Sequence, residues 1–125
     1  MTGTGLRLVF VVDDDDGVRG STRALLEASG FAVRTFASAE ALLAAGTAHE
    51  AGCIVLDQHL SGMSGIDLLE TLRTQGLRTP AIIVTSNGTK LGARAAHADV
   101  TTVLRKPLAG EALEDWLNRI LPAPL

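Results

Sequence analysis

Three short apolar runs recur along the chain, and each delivers polar residues at its end. Leu8-Val9-Phe10-Val11-Val12 runs into Asp13-Asp14-Asp15-Asp16, Cys53-Ile54-Val55-Leu56 into Asp57, and Ala81-Ile82-Ile83-Val84 into Thr85-Ser86. Rich in β-branched residues and without polar alternation, such runs suit strands buried on both faces, as in a parallel sheet covered by helices. Phe31 to Phe36 is a shorter, partly alternating strand centred on Val33, and Val100 to Leu104 is a last one, broken by Lys106-Pro107. Between the strands the apolar spacing becomes helical. Gly17 to Ser29 puts Val18, Leu25 and Leu26 on one stripe, with Gly30 as the stop. Ser38 can cap a helix through Ala39, Leu42, Leu43 and Ala45 that ends at Gly46. Ser61 to Gly65 is a loop by its glycines, followed by a helix through Ile66, Leu68, Leu69 and Leu72 that closes at Gly76. Lys90 to Ala98 reads as a short, weakly apolar helix with Gly88 and Gly92 near its start. From Gly110, Leu113, Trp116, Leu117, Ile120 and Leu121 form an amphipathic helix ended by Pro122 and Pro124.

Five strands alternating with five helices, joined by short right-handed crossovers, give an α/β doubly wound parallel sheet. At 125 residues the chain reads as one domain, 1–125, with 1–5 as a flexible N-terminus and 122–125 as the start of a linker. Hydrophobic residues make up 46% and charged ones 20%, which argues against disorder. A single cysteine, Cys53, permits no intrachain disulfide and fits a cytoplasmic, reducing setting; it reads as a small core residue. No run approaches a membrane span. With a net charge of −3 and no basic stripe, direct nucleic-acid binding has little support.

The acids at the strand ends change this picture most. In open α/β sheets the carboxyl ends of strands form the ligand crevice, and like charges there repel by about 4 kcal/mol per close pair. Asp13, Asp14 and Asp57 suit a hard cation such as Mg²⁺, or Mn²⁺, that resolves the repulsion. Thr85 or Ser86 adds a hydrogen-bond donor and Lys106 a positive charge. Together these make a site for a transferring phosphoryl group, whose oxygens the metal and ammonium neutralise while a carboxylate attacks. Asp15 and Asp16 are solvated charges of a helix's first turn. His49 and His97 have no second ligand at metal spacing and are expected on the surface. Met63 reads as a packing residue and Trp116 as a core or dimer-face anchor.

Val11-Val12-Asp13-Asp14, Val55-Leu56-Asp57 with Gly62-Met63-Ser64-Gly65, Ile83-Val84-Thr85-Ser86 and Leu104-Arg105-Lys106-Pro107 resemble, in order and near family spacing, the receiver domain of bacterial two-component response regulators. Val33 to Glu40 resembles the nitrogen-fixation and LuxR-type transcriptional regulators in particular. The resemblance implies a flavodoxin-like strand order 2-1-3-4-5 and a phosphoacceptor, Asp57, that receives its group from a sensor histidine kinase. It implies signalling rather than enzymatic activity, with transcription controlled through an output domain or partner. Asp14 and Asp57 would bind Mg²⁺ directly, Asp13 through water, and His59 through its backbone carbonyl. Thr85 would bond a phosphoryl oxygen beside the Ser86 N–H, and Lys106 would pair with the phosphate, placed by a cis Lys106-Pro107 bond. A homodimer through the face of the fourth helix, fifth strand and fifth helix is a candidate assembly.

The chain also departs from the family pattern. Ser61 stands where proline is usual and is expected to loosen the loop beyond Asp57. One residue is missing between Ser86 and Ala93. Val103 holds the switch position of a Tyr or Phe, so the output face is expected to be altered. Asp99 stands where glycine is usual, a place that asks for φ > 0. Two other readings remain open: a receiver-like interaction module indifferent to phosphorylation, and a haloacid-dehalogenase-type phosphatase with Asp14 as nucleophile. The second lacks that family's later pair of acids. An EF-hand fails on phase, because Val12 and Arg23 would fall at the first and last ligand positions.

Overall fold

The computed structural model describes residues 7–86, 91–108 and 110–123. Five strands, β1 (Leu8–Val12), β2 (Ala32–Phe36), β3 (Cys53–Asp57), β4 (Ala81–Thr85) and β5 (Thr102–Arg105), pair in parallel in the order β2-β1-β3-β4-β5. Five helices connect or follow them: α1 (Asp16–Ala28), α2 (Ala39–Ala45), α3 (Gly65–Thr74), α4 (Ala93–His97) and α5 (Gly110–Ile120). This is the flavodoxin-like order that the resemblance implied.

The period of two along each strand divides the core into two layers. Val9, Val11, Val55, Ile82 and Val84 face α1 and α5, where Leu26, Leu113 and Leu117 are fully buried. Phe10, Val12, Ile54, Leu56 and Ile83 face α2 and α3, packing on Leu42, Ile66, Leu69 and Leu72. Each such side chain stabilises the fold by about 1.5–3 kcal/mol. Cys53 lies in the first layer without exposure, and burial pushes its thiol up to about 12, so it is an unreactive core group. Met63 packs against the second layer, and His49 and His97 are exposed.

Local signals set the helix ends. The Ser38 hydroxyl accepts from the Ala41 N–H, and Ser64 and Asp67 cap α3 reciprocally. Asp15 is the N-cap of α1, accepting from the Val18 N–H, while Asp16 sits in its first turn. Asp99 does adopt φ 57°.

Several expectations need correcting. Val18 is 36% exposed; the stripe of α1 is in phase, but its buried places belong to Thr22 and Leu26, and Val18 instead lines an open groove. The fourth helix starts at Ala93 and is only five residues long, following Gly92 at φ 52°. Lys90 and Gly88 lie outside the described residues, as do residues 1–5, 124–125 and most of the segment expected to be one residue short. The last strand starts at Thr102, because the Val100 N–H is used to close α4 on the Ala95 carbonyl. A 3₁₀ turn at Ala48–Glu50 had no clear sequence signal.

Candidate functional site

The sheet's hydrogen-bond ladder extends one residue past the strands where the acids and the lysine sit. The Asp13 N–H donates to the Phe36 carbonyl at 3.1 Å, the Gln58 N–H to Val84 at 2.8 Å, and the Lys106 N–H to Thr85 at 2.8 Å. The site is therefore carried on rigid backbone. One carboxylate oxygen from each of Asp13, Asp14 and Asp57 lies within 4.8 Å of the other two. Asp13 and Asp57 are buried and Asp14 is exposed. Three oxygen donors so arranged, one of them open to solvent, fit a hard divalent cation that retains water ligands.

Lys106 reaches into this cluster from the other side. Its Nζ donates to Asp57 Oδ2 at 3.0 Å and to Asp13 Oδ2 at 3.4 Å. The other oxygen of each carboxylate is also held. The Asp15 N–H donates to Asp13 Oδ1 at 2.9 Å, and the His59 N–H to Asp57 Oδ1 at 3.0 Å. Burial is the largest influence on Asp13 and, with the like charge of Asp57, holds its carboxyl above the usual value against the Asp15 N–H and Lys106. For Lys106, burial pulls the ammonium down, yet Asp57 and then Asp13 outweigh it and leave the group above the ordinary lysine value. The peptide bond between Lys106 and Pro107 is cis.

The loop after Asp57 is braced. The Ser61 N–H and hydroxyl both donate to Asp14 Oδ2, at 3.1 and 3.0 Å, and the Met63 N–H donates to Glu40 at 3.2 Å. Ser61 thus ties the loop to Asp14, in part through the backbone N–H that a proline lacks. Gly65 is required where α3 meets the strand end: a Cβ there would lie 2.6 Å from the Asp57 carbonyl oxygen.

Four contributors lie outside the strand-end pattern. Gln58, buried beside Asp57, accepts from the Ile66 N–H at 2.9 Å and ties α3 to the site. Arg19 donates to the Asp13 carbonyl at 2.8 Å. The exposed ring of His59, a residue for which the resemblance implied only a backbone-carbonyl role, places Nε2 3.0 Å from Thr85 Oγ1. Val18, Leu25, Pro107 and Leu108 line a groove of about 770 Å³ beside Lys106. Polar residues next to Asp57, and an arginine one turn into the helix after Asp13, were the only hints. Val103 projects from β5 with 38% exposure, and Trp116 packs, partly buried, against the layer under α5. Asp15 and Asp16 stay outside the cluster, exposed as expected.

Among the described residues no helix is long and apolar enough to cross a membrane. The family model described as "Response regulator receiver domain" matches residues 9–118. The transcriptional regulatory protein FixJ of Azorhizobium caulinodans is 41% identical over 84% of this chain and 50% of its own length. The transcriptional regulatory protein TdiR of Thauera aromatica is 37% identical over 90% of the chain and 50% of its own length. The chain thus spans about half the length of these relatives. The crystal structure of FixJ-N superposes with a TM-score of 0.81 at 30% identity, covering 94% of this chain and 95% of that one. An acid-lined strand end in a 2-1-3-4-5 sheet and a matching family model across nearly all of the chain lead to one conclusion: the chain belongs to the response regulator receiver domain family.

Proposed function

We propose that the chain accepts a phosphoryl group on Asp57 from the phosphohistidine of a sensor histidine kinase, in a reaction that depends on Mg²⁺ or Mn²⁺. The observation that carries this reading is the meeting of three carboxylates with one lysine ammonium. A carboxylate oxygen of Asp57 attacks phosphorus, the bond from phosphorus to the histidine nitrogen breaks, and its electron pair leaves with the imidazole. Lys106, already bonded to Asp57, follows the charge onto the phosphoryl oxygens. The His59 N–H fixes the orientation of the attacking carboxylate. Asp13, Asp14 and Asp57, with the His59 carbonyl, would hold the cation, which when bound neutralises the transferring group. Thr85 and the Ser86 N–H would then bond the phosphoryl group. The groove between α1 and the loop after Lys106 offers the donor protein an apolar surface beside the acceptor.

On this reading the chain is a phosphoacceptor that signals, in the cytoplasm, by changing its contacts with an output domain or partner in transcriptional control. No direct role in nucleic-acid binding is assigned to the domain. A face formed by α4, β5 and α5 is the candidate dimer surface, with Val103 in place of the aromatic switch.

The test is incubation with Mg²⁺ and a small phosphodonor, followed by intact mass. Wild type is expected to gain one phosphoryl group and Asp57→Asn none. Turnover that survives Asp57→Asn but disappears in Asp14→Asn would instead identify a phosphatase. Absence of any label on wild type would leave an interaction module.

A further inference from the structure

His59 makes two contacts that join the acceptor to the hydroxyl next to it. Its backbone N–H is bonded to Asp57 Oδ1, and its ring Nε2 lies 3.0 Å from Thr85 Oγ1. Thr85 is 2% exposed, and its carbonyl is held by the Lys106 N–H, so its backbone is fixed and the hydroxyl moves mainly by rotation about χ1. A threonine hydroxyl carries a single hydrogen. If that hydrogen points at His59, it is not available to a phosphoryl oxygen.

We propose that His59 is a positioning residue: its ring Nε2 accepts the Thr85 hydroxyl hydrogen, and Thr85 can engage a phosphoryl group on Asp57 only by giving that contact up. The inference rests on Asp57 being the acceptor. The exposed ring thus acts as an internal stand-in for the phosphoryl oxygen and sets how readily occupancy of Asp57 is passed to β4. The side chain at position 103 is a valine, and the contact with His59 is a restraint on Thr85 within the site itself.

The test is a fluorine NMR titration of beryllofluoride, a phosphoryl mimic, at saturating Mg²⁺, on wild type, His59→Ala, His59→Gln, Thr85→Val and the His59→Ala/Thr85→Val double variant. His59→Ala is expected to tighten binding about three- to tenfold, the worth of one hydrogen bond. The amide oxygen of His59→Gln can accept the same hydrogen and is expected to return affinity toward wild type. In the Thr85→Val background His59→Ala is expected to have no effect, because the two act as a pair. In unliganded protein, three-bond couplings of Thr85 should show a different χ1 population in His59→Ala from that in wild type. Unchanged or weaker binding by His59→Ala overturns the inference, as does an equal gain in the Thr85→Val background. If wild type takes up beryllofluoride and the variants do not differ, this inference alone fails. If wild type does not bind it, the phosphoacceptor reading fails as well.

Discussion

Two clusters in this molecule share a stoichiometry, one cation between two carboxylates, and differ in nearly everything else. At the strand ends Lys106 bridges Asp57 and Asp13, whose side chains are 6% and 7% exposed. On the surface Arg94 of α4 bridges Asp67 and Glu70 of α3, 47% and 40% exposed, at 2.6 and 2.7 Å. Water screens the second group, so its charges are satisfied and its contribution is to hold α4 against α3. The first group is shielded from water, and Asp14 adds a third carboxylate to a single ammonium. Ion pairing is therefore a poor guide to function here. What separates the two is burial together with a larger excess of negative charge, three carboxylates to one ammonium against two to one guanidinium, which creates a demand for an external cation.

The two clusters also respond to acid in opposite senses. Hydrogen bonds from Arg94 hold Asp67 and Glu70 below their ordinary values of 3.8 and 4.5. Their contribution is fully present above those values and is lost as pH falls through the lower folded ones. Asp13 is raised, chiefly by burial, so its ionised form costs stability. That cost is relieved as pH falls from its raised folded value towards the ordinary one.

Removing a cation should separate the clusters most sharply. Lys106→Met leaves two buried carboxylates facing each other and is expected to cost on the order of 2 kcal/mol in urea unfolding without divalent cations. Millimolar Mg²⁺ should restore much of that loss; failure to do so would mean the acids do not share a cation. A smaller effect of opposite sign is expected from Asp13→Asn, which keeps an acceptor for the Asp15 N–H but removes a buried charge. Without metal it should gain about 1 kcal/mol, and the gain should shrink as Mg²⁺ is added, because the variant binds the ion more weakly. The smallest effect belongs to Arg94→Ala. Its unfolding midpoint should barely move at neutral pH, the difference should fade in high salt, and it should vanish below the folded values of Asp67 and Glu70. A large, salt-insensitive loss would show that the surface cluster is not screened.

Much of the fold can be read along the chain because its determinants are local. The runs at residues 8–12, 53–56 and 81–84 are apolar throughout and mostly buried, and polar residues begin only at their carboxyl ends. Ser38, Ser64 and the residues after them mark helix starts within a few positions. Local signals are weak in the five-residue α4, with alanines for most of its length, and at Val18, a helix-phase residue that the fold leaves 36% exposed.

The sequence alone determined that acids, a hydroxyl and a lysine would stand at strand ends, because an apolar run has only one place for polar residues to begin. It also separated Asp13 and Asp14 from Asp15 and Asp16 by position relative to the strand. Tertiary structure decided which of these groups touch. Lys106 meets Asp57 across 49 residues and Asp13 across 93, distances in sequence over which no periodicity carries information. The same holds for the Ser61 bonds to Asp14 and the contact between His59 and Thr85. Those contacts depend on strand order and register, which are set by the burial of the whole sheet and not by any one segment.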